Sequence, residues 1–369
     1  MPPRRRKHDR ASLVCVTGDV QAPPKPLLLD LEPEAWPADD ARPYRRQQLL
    51  SAVFETGVAS LDEATSLPKA WRQALAETYA LSPFQAVDRV PSWDGSVRYL
   101  LTLRDGRQTE AVYMPYDNRK TVCISSMVGC PAGCRFCATG ALGFGRNLSR
   151  GEIVAQLLVI AQHEGLAPKD LRNVVLMGMG EALLNYEEAV AAIRRMIDPE
   201  ALDMSPRRIT LSTVGLPARI RRLAGEGLNL TLAVSLHAPD EETRQAIIPT
   251  AHAHSIDDIM DSLALWQERT NRRVTFEYTM LKGVNDHDWQ AAKLAARLRG
   301  LRAHVNLIPF NDWANSGFES SSRTRIDAFK RRIESAGVSV SVRFSRGQDA
   351  GGACGQLSLQ TPTEPLEAR

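Results

Sequence analysis

The chain has 369 residues, 43% of them hydrophobic and 24% charged, with a formal net charge of +3. That apolar content builds one large core plus an accessory unit, and it excludes a fibrous or intrinsically disordered chain. The small net charge excludes a polycation, and no apolar run approaches the length of a membrane span.

Residues 1–24 read as a basic tail, opening MPPRRRKHDR and closing on APPKP, with Cys15 an ordinary free thiol. No apolar segment long enough for a signal peptide follows the basic start, so a cytoplasmic location is expected. Residues 25–95 read as a helical accessory domain, an RNA-binding one by the resemblance given below. Tyr44–Phe54 places Leu49 and Val53 at helical spacing, and Pro68–Tyr79 does the same with Trp71, Leu75 and Tyr79. Residues 96–358 form the main domain and 359–369 a second tail. The main domain opens with two short strands, RYLLTLRD and TEAVYMPY, joined through the turn signal Asp105-Gly106.

From Lys120 onward six apolar runs alternate with helical segments. The runs are TVCISSMVGC, NVVLMGMGE, RRITLSTVG, LTLAVSLHA, RVTFEYTML and HVNLIPFN. Continuous Val, Ile and Leu suit parallel strands buried on both faces. Ser149 and Glu152 form a capping box at the start of the first intervening helix. The fold class is therefore α/β, a partial TIM-like (β/α)6 barrel with a small N-terminal helical accessory domain. VSVSVRF adds one more strand before SRGQDAGGACGQL. In such barrels chemistry sits at the C-terminal ends of the strands. Those ends carry Cys130, Gly180-Glu181, Ser212, Ser235, His237 and Asn311.

Six cysteines are sparse for this length, and four lie between 123 and 137, which suits metal or redox chemistry in a reducing compartment. Cys130, Cys134 and Cys137 stand in CPAGCRFC with C-x3-C-x2-C spacing. Three thiolates from one loop hold three irons of a [4Fe–4S] cluster and leave the fourth iron open, whereas an electron-transfer cluster takes four protein ligands. S-adenosylmethionine is the usual ligand of such an iron, and Phe136 before the last cysteine fits the radical-SAM signature. A structural zinc site needs a second cysteine pair, and none lies nearby. Local arginine clusters, Arg42 with Arg45 and Arg46, Arg207 with Arg208, Arg219 with Arg221 and Arg222, Arg272 with Arg273 and Arg331 with Arg332, are either phosphate contacts or solvated helix faces.

With these blocks on the page, the chain from about residue 25 to 358 resembles the radical-SAM RNA methyltransferases, and within them the adenine-C2 methyltransferases of 23S rRNA and tRNA. The blocks carrying the resemblance are the cysteine loop, LMGMGEALLN, LSTVG, VSLHA, HVNLIPFN and SRGQDAGGACGQL. The resemblance implies a mechanism in which a 5′-deoxyadenosyl radical acts on a methyl group already carried by a cysteine. Cys354 matches the methyl carrier, whose bland reading is a buried structural cysteine. Cys123 matches the resolving cysteine that releases a transient protein–RNA crosslink and leaves a disulfide with Cys354; otherwise it is a small residue in a buried strand. Glu110 matches the proton acceptor, against the simpler reading of an exposed strand glutamate. Gly180, Glu181, Ser212, Ser235, Leu236, His237 and Asn311 match the S-adenosylmethionine contacts, although a satisfied buried histidine is the plainer account of His237. Two departures from the family pattern are Ala182, where a proline is usual after Gly-Glu, and the small residues Ala350, Gly351 and Gly352. Implied partners are 23S rRNA, tRNA and a low-potential electron donor such as flavodoxin or ferredoxin, acting on a monomer. The related C8-adenine methyltransferases of 23S rRNA, which confer resistance to ribosome-targeting antibiotics, share the cluster, Cys123 and Cys354. A radical-SAM protein maturase and a non-catalytic iron–sulfur RNA-binding protein are the readings from other classes.

Overall fold

The structure, a computed structural model, describes residues 25–38 and 42–359. The arginine-rich start, Cys15 and nearly all of the C-terminal tail lie outside these residues. In chain order the elements are α1 (Tyr44–Ser51), α2 (Lys69–Thr78), β1 (Phe84–Pro91), β2 (Val97–Leu103), β3 (Gln108–Tyr116), β4 (Arg119–Cys123), β5 (Met127–Gly129), α3 (Ala138–Ala141), β6 (Phe144–Asn147), α4 (Arg150–His163), β7 (Asn173–Leu176) and α5 (Tyr186–Ile197). They continue with β8 (Ile209–Thr213), α6 (Pro217–Leu223), β9 (Thr231–Ser235), α7 (Glu241–Ile247), α8 (Ile256–Thr270), β10 (Val274–Met280), α9 (Asp288–Arg297), β11 (Ala303–Pro309), α10 (Arg323–Glu334) and β12 (Ser339–Val342).

One sheet runs β1-β2-β3-β4-β7-β8-β9-β10-β11-β12. The first three strands are antiparallel, and β4 through β12 pair in parallel with helices between them. This is the expected (β/α) rhythm, with β12 as the additional strand. The inward and outward faces of β9 and β10 are both buried, which explains why these segments read as unbroken apolar runs.

Two stretches differ from the sequence expectation. Phe84–Pro91, within the stretch read as helical, is an edge strand paired antiparallel with β2. Most of its residues are exposed or half-buried, so no period of two marks it; pairing with β2 decides its conformation. TVCISSMVGC is not one strand either. β4 ends at Cys123, and the chain then bends into a separate hairpin of β5 and β6. At the bend no strand satisfies the Ser125 backbone. The buried Gln156 side chain of α4 does so, accepting from Ser125 N–H at 2.9 Å and donating to Ser125 C=O at 2.9 Å.

The N-terminal helices share one apolar core with the barrel, including Trp36, Leu49 and Phe54 alongside Ile153, Leu211 and Phe276. Each such side chain contributes about 1.5–3 kcal/mol when fully buried. Arg195 of α5 fastens the contact, its guanidinium 5.2 Å from the Trp36 ring centre and donating to Leu31 C=O at 2.7 Å. The α4 capping box is present in full. Glu152 N–H donates to Ser149 Oγ at 3.2 Å and Ser149 N–H donates to Glu152 Oε2 at 2.9 Å.

Gln156→Leu keeps side-chain volume but leaves two buried backbone groups of Ser125 unpaired. We expect it to lower unfolding stability by roughly 3 kcal/mol, against about 1 kcal/mol for Ser149→Ala at the solvent-side cap. Urea denaturation of the two variants measures the difference.

Candidate active site

The cysteine loop leaves β5 and folds back on itself. Cys130 N–H donates to Gly143 C=O at 2.8 Å, and Arg135 N–H to Ile247 C=O at 2.9 Å. A Cβ at Gly140 would stand 2.7 Å from the Cys134 carbonyl, so glycine permits this closure. All three thiols line one cavity, which is open at its mouth. Burial pushes Cys130 up to about 12 and also raises Cys134 and Cys137. Such thiols become thiolates only when a cation takes the place of their protons.

The surroundings fit an anionic iron–sulfur group held by Cys130, Cys134 and Cys137. Backbone N–H groups of Ala132 and Gly180 are aimed at Cys130, and those of Thr139 and Gly140 at Cys137. Arg244 of α7 is buried and interacts electrostatically with Cys134; its Nη2 donates to Val214 C=O, while Nε and Nη1 have no hydrogen-bond partner. A buried cation with open donors beside three thiols suits a negatively charged group.

The facing wall comes from the ends of β7, β8 and β9. Gly180 has φ +105°, and a Cβ there would lie 2.7 Å from Met127 Cβ and from Ser126 Oγ; no side chain fits. Glu181 accepts from Leu183 N–H at 3.0 Å and from Val214 N–H at 2.7 Å. Burial raises its carboxyl to about 7 despite those bonds. Ser212 and Ser235 face each other with hydroxyls 3.4 Å apart. His237, at φ +57°, accepts from Thr279 N–H at 2.9 Å through Nδ1, which leaves Nε2 to carry the proton. Burial depresses its pKa to about 3, so the ring stays neutral, edge-on to Phe136 at 4.6 Å.

Cys354 closes the cavity from the C-terminal loop. It also lines a second cavity together with Cys123, and both cysteines are free thiols. The disulfide implied for this pair is therefore not a feature of this structure. The loop is tied down by Ala138 N–H to Gly355 C=O at 2.7 Å and by Thr139 Oγ1 to Leu357 C=O at 2.7 Å. A clasp from the β1–β2 turn holds its other end. Gly347 N–H donates to Asp94 Oδ2 at 3.0 Å, and Trp93 N–H to Asp349 Oδ2 at 3.2 Å.

Three matched residues do not face the cysteine cavity. Asn311 donates to Cys354 C=O at 3.0 Å and to Ser345 Oγ at 2.9 Å, and accepts from Gln348, so its amide holds the loop. Leu236 lies fully buried behind the wall, its N–H bonded to Glu277 C=O at 3.2 Å. Glu110 is not an exposed strand residue. It is fully buried, ion-paired with Arg98, and accepts from Leu359 N–H at 3.2 Å. Burial raises its pKa, opposed by Arg98. Ala182 packs in the main core.

Glu277 and Arg343 went unnoticed in the sequence. Both line the cysteine cavity, and Arg343 also lines the Cys123–Cys354 cavity. A glutamate inside RVTFEYTML and an arginine closing VSVSVRF were the available signals: a charge within a run destined for burial.

The radical SAM superfamily matches residues 124–295. A Deinococcus deserti protein named "Probable dual-specificity RNA methyltransferase RlmN" is 59% identical over 337 residues, covering 91% of this chain and 97% of that protein. A Thermus thermophilus protein of the same name is 57% identical, covering 92% and 94%. The crystal structure of a radical SAM methyltransferase from Sphaerobacter thermophilus superposes with a TM-score of 0.87 at 40% identity, covering 91% of this chain and all of that one.

His237 supplies a pH test of the cavity's dryness. Its folded pKa lies below the ordinary 6.5, so the stability it contributes is complete above pH 6.5 and is lost as pH falls toward about 3. Relative to His237→Gln, the wild type should lose about 1.4 kcal/mol per pH unit below 6.5. Urea unfolding of both proteins at pH 7, 6 and 5 measures this, and parallel curves would mean a solvated ring.

Proposed function

The chain belongs to the RlmN family of dual-specificity RNA methyltransferases within the radical SAM superfamily, and from that membership we propose that it methylates adenine C2 in two RNAs. These are an adenosine of the peptidyl-transferase centre of 23S rRNA and the adenosine 3′ to the anticodon of tRNA. The observation that carries this reading is Cys354, which lines both the three-cysteine cavity and the cavity of Cys123.

Adenine C2 is an electrophilic ring carbon and cannot attack the sulfonium methyl group itself. The methyl must be carried, and a cysteine is the nucleophile suited to carry it. The Cys354 sulfur attacks the methyl carbon of S-adenosylmethionine, and S-adenosylhomocysteine leaves. We assign Glu181 to accept from the ammonium of the methionyl part, and Ser212 and Ser235 to meet hydroxyl or carboxylate groups. A [4Fe–4S] cluster held by Cys130, Cys134 and Cys137 supplies, when bound, the single electron that starts radical chemistry on a second S-adenosylmethionine.

In that chemistry the 5′-deoxyadenosyl fragment of the second S-adenosylmethionine takes one hydrogen atom from the carried methyl group, the resulting methylene bonds to C2 and links the RNA to Cys354, and the surplus electron would return to the cluster. Glu110 takes the C2 proton once the Leu359 contact opens; its raised pKa makes it a better base than an ordinary carboxylate. The deprotonated Cys123 sulfur attacks the Cys354 sulfur, the bond from that sulfur to the carried carbon breaks, the carbon takes up a proton and leaves as the methyl group of the RNA, and a Cys123–Cys354 disulfide remains for reduction. Burial pushes the Cys123 thiol up to about 12, opposed in part by Arg343, so Cys123 needs a base or a neighbouring cation at that step. The electron is drawn from a low-potential donor of the flavodoxin or ferredoxin kind. We place the enzyme in the cytoplasm as a monomer; no helix among the described residues is long and apolar enough to cross a membrane.

Two variants separate carrier from resolver. Cys354→Ala should abolish methyl transfer to RNA, while Cys123→Ala should accumulate a covalent protein–RNA adduct. Denaturing gels with methyl-labelled S-adenosylmethionine report both. Methylated RNA from Cys354→Ala would sink the carrier mechanism.

A further inference from the structure

Glu277 sits on β10 and is 4% exposed. Its Oε1 accepts from Asn306 Nδ2 at 2.9 Å. Its Oε2 is buried and has no hydrogen-bond partner. An acceptor withdrawn from water without a donor is costly, and proteins keep such groups where a ligand supplies the missing partner.

Its position says which ligand. Glu277 lines the cysteine cavity and also a second opening of the barrel, whose lining includes Arg119, Arg207 and Arg208. Ser212, Ser235 and His237 line the first space and not the second. Arg343 and Met177 line both of these and the Cys123–Cys354 cavity as well. Arg343 and Met177 therefore stand where three spaces meet, the three-cysteine site, the thiol pair and an arginine-lined opening, and Glu277 stands beside them between the first and the third. Phosphates belong against the arginines. A base extruded from its stack belongs at the junction, within reach of both chemistries.

We propose that Glu277 reads the exocyclic amine of the target adenine, its Oε2 accepting from N6–H in a base pocket completed by Arg343 and Met177. The inference rests on the RNA methyltransferase reading above. Adenine C2 and the amine-bearing C6 flank the same ring nitrogen, so an acceptor on the amine orients the Watson–Crick edge while leaving C2 free to face the thiols. Burial raises the Glu277 carboxyl, and Arg343 opposes that by favouring its ionised form. Met177 Sδ accepts from Arg343 Nη1 at 3.7 Å, which presents a polarizable surface beside the cation.

The test uses the reconstituted full-length protein and one RNA stem-loop carrying adenosine or inosine at the unpaired target position. Inosine keeps the shape and replaces the amine with a carbonyl. Equilibrium binding by fluorescence anisotropy and kcat/KM for methylation are both measured. Wild type should favour adenosine by about tenfold or more, the worth of one charge-assisted hydrogen bond. In Glu277→Gln, Asn306 holds the amide oxygen, so Nε2 faces the cavity as a donor. The adenosine preference should collapse toward inosine, with the KM for S-adenosylmethionine unchanged within about twofold. Glu277→Ala, which removes the acceptor and offers no donor, should bring the ratio near one, and thermal melting verifies that both variants fold. A ratio unchanged in both variants overturns the inference. So does a raised KM for S-adenosylmethionine with an intact ratio, because Glu277 would then serve the cofactor. A wild type that methylates neither RNA removes the functional reading itself, and this inference with it; a wild type that methylates adenosine with a ratio indifferent to Glu277 removes the inference alone.

Discussion

A single backbone hydrogen bond, Ala138 N–H to Gly355 C=O at 2.7 Å, joins the loop of three cysteines to the loop that carries Cys354. The rest of the site depends on this junction. The three-cysteine loop is built on the β5–β6 hairpin, and the Cys354 loop follows the last strand of the sheet. Thr139 repeats the tie through its hydroxyl, and Asn311, just past β11, holds the Cys354 carbonyl from another side. Cys354 is thereby placed at the wall shared by two cavities, with Cys123 at the end of β4 across the second. A fourth thiol brought beside three others is of little use for structure, because nothing there forms a bridge. In the proposed function it moves a one-carbon group between a cofactor and a base.

The second constraint is electrostatic. Burial disfavours the charged form of five acids in the cavity, raising Cys130, Cys134, Cys137, Glu181 and Glu277 together. Two cations answer this, Arg244 buried and Arg343 half-buried. Arg244 stands beside Cys134, and Arg343 interacts with Cys354, Glu277 and Cys123. The site is thus prepared for anionic chemistry at both ends and is kept dry enough for a neutral His237. Low dielectric strengthens each of these pairings.

Much of this was legible in the residues. The spacing of Cys130, Cys134 and Cys137 carries its chemistry openly, because three thiols on one short loop have few structural uses. The parallel strands announced themselves as apolar runs, and Ser149 with Glu152 marked a helix start that the structure reproduces. Other features depend on tertiary contacts that no local pattern encodes. Phe84–Pro91 is an edge strand only because β2 lies beside it. The break after Cys123 needs Gln156, which arrives from a helix far along the chain. Asn311 reads as a polar strand end, yet its amide holds the Cys354 loop. Glu110 reads as a surface carboxylate, yet Arg98 and the C-terminal loop bury it. The electrostatic interaction of Glu277 on β10 with Arg343, just past β12, is visible only once the cavities are.

The central claim is that the protein puts a carried methyl group on adenine C2. Its most direct test is mass spectrometry of nucleosides from 23S rRNA and tRNA digested after anaerobic turnover with the reconstituted enzyme, reductant and S-adenosylmethionine. The account predicts 2-methyladenosine in both RNAs. Finding 8-methyladenosine alone, or no methylated adenosine from an enzyme that still cleaves S-adenosylmethionine, would contradict it.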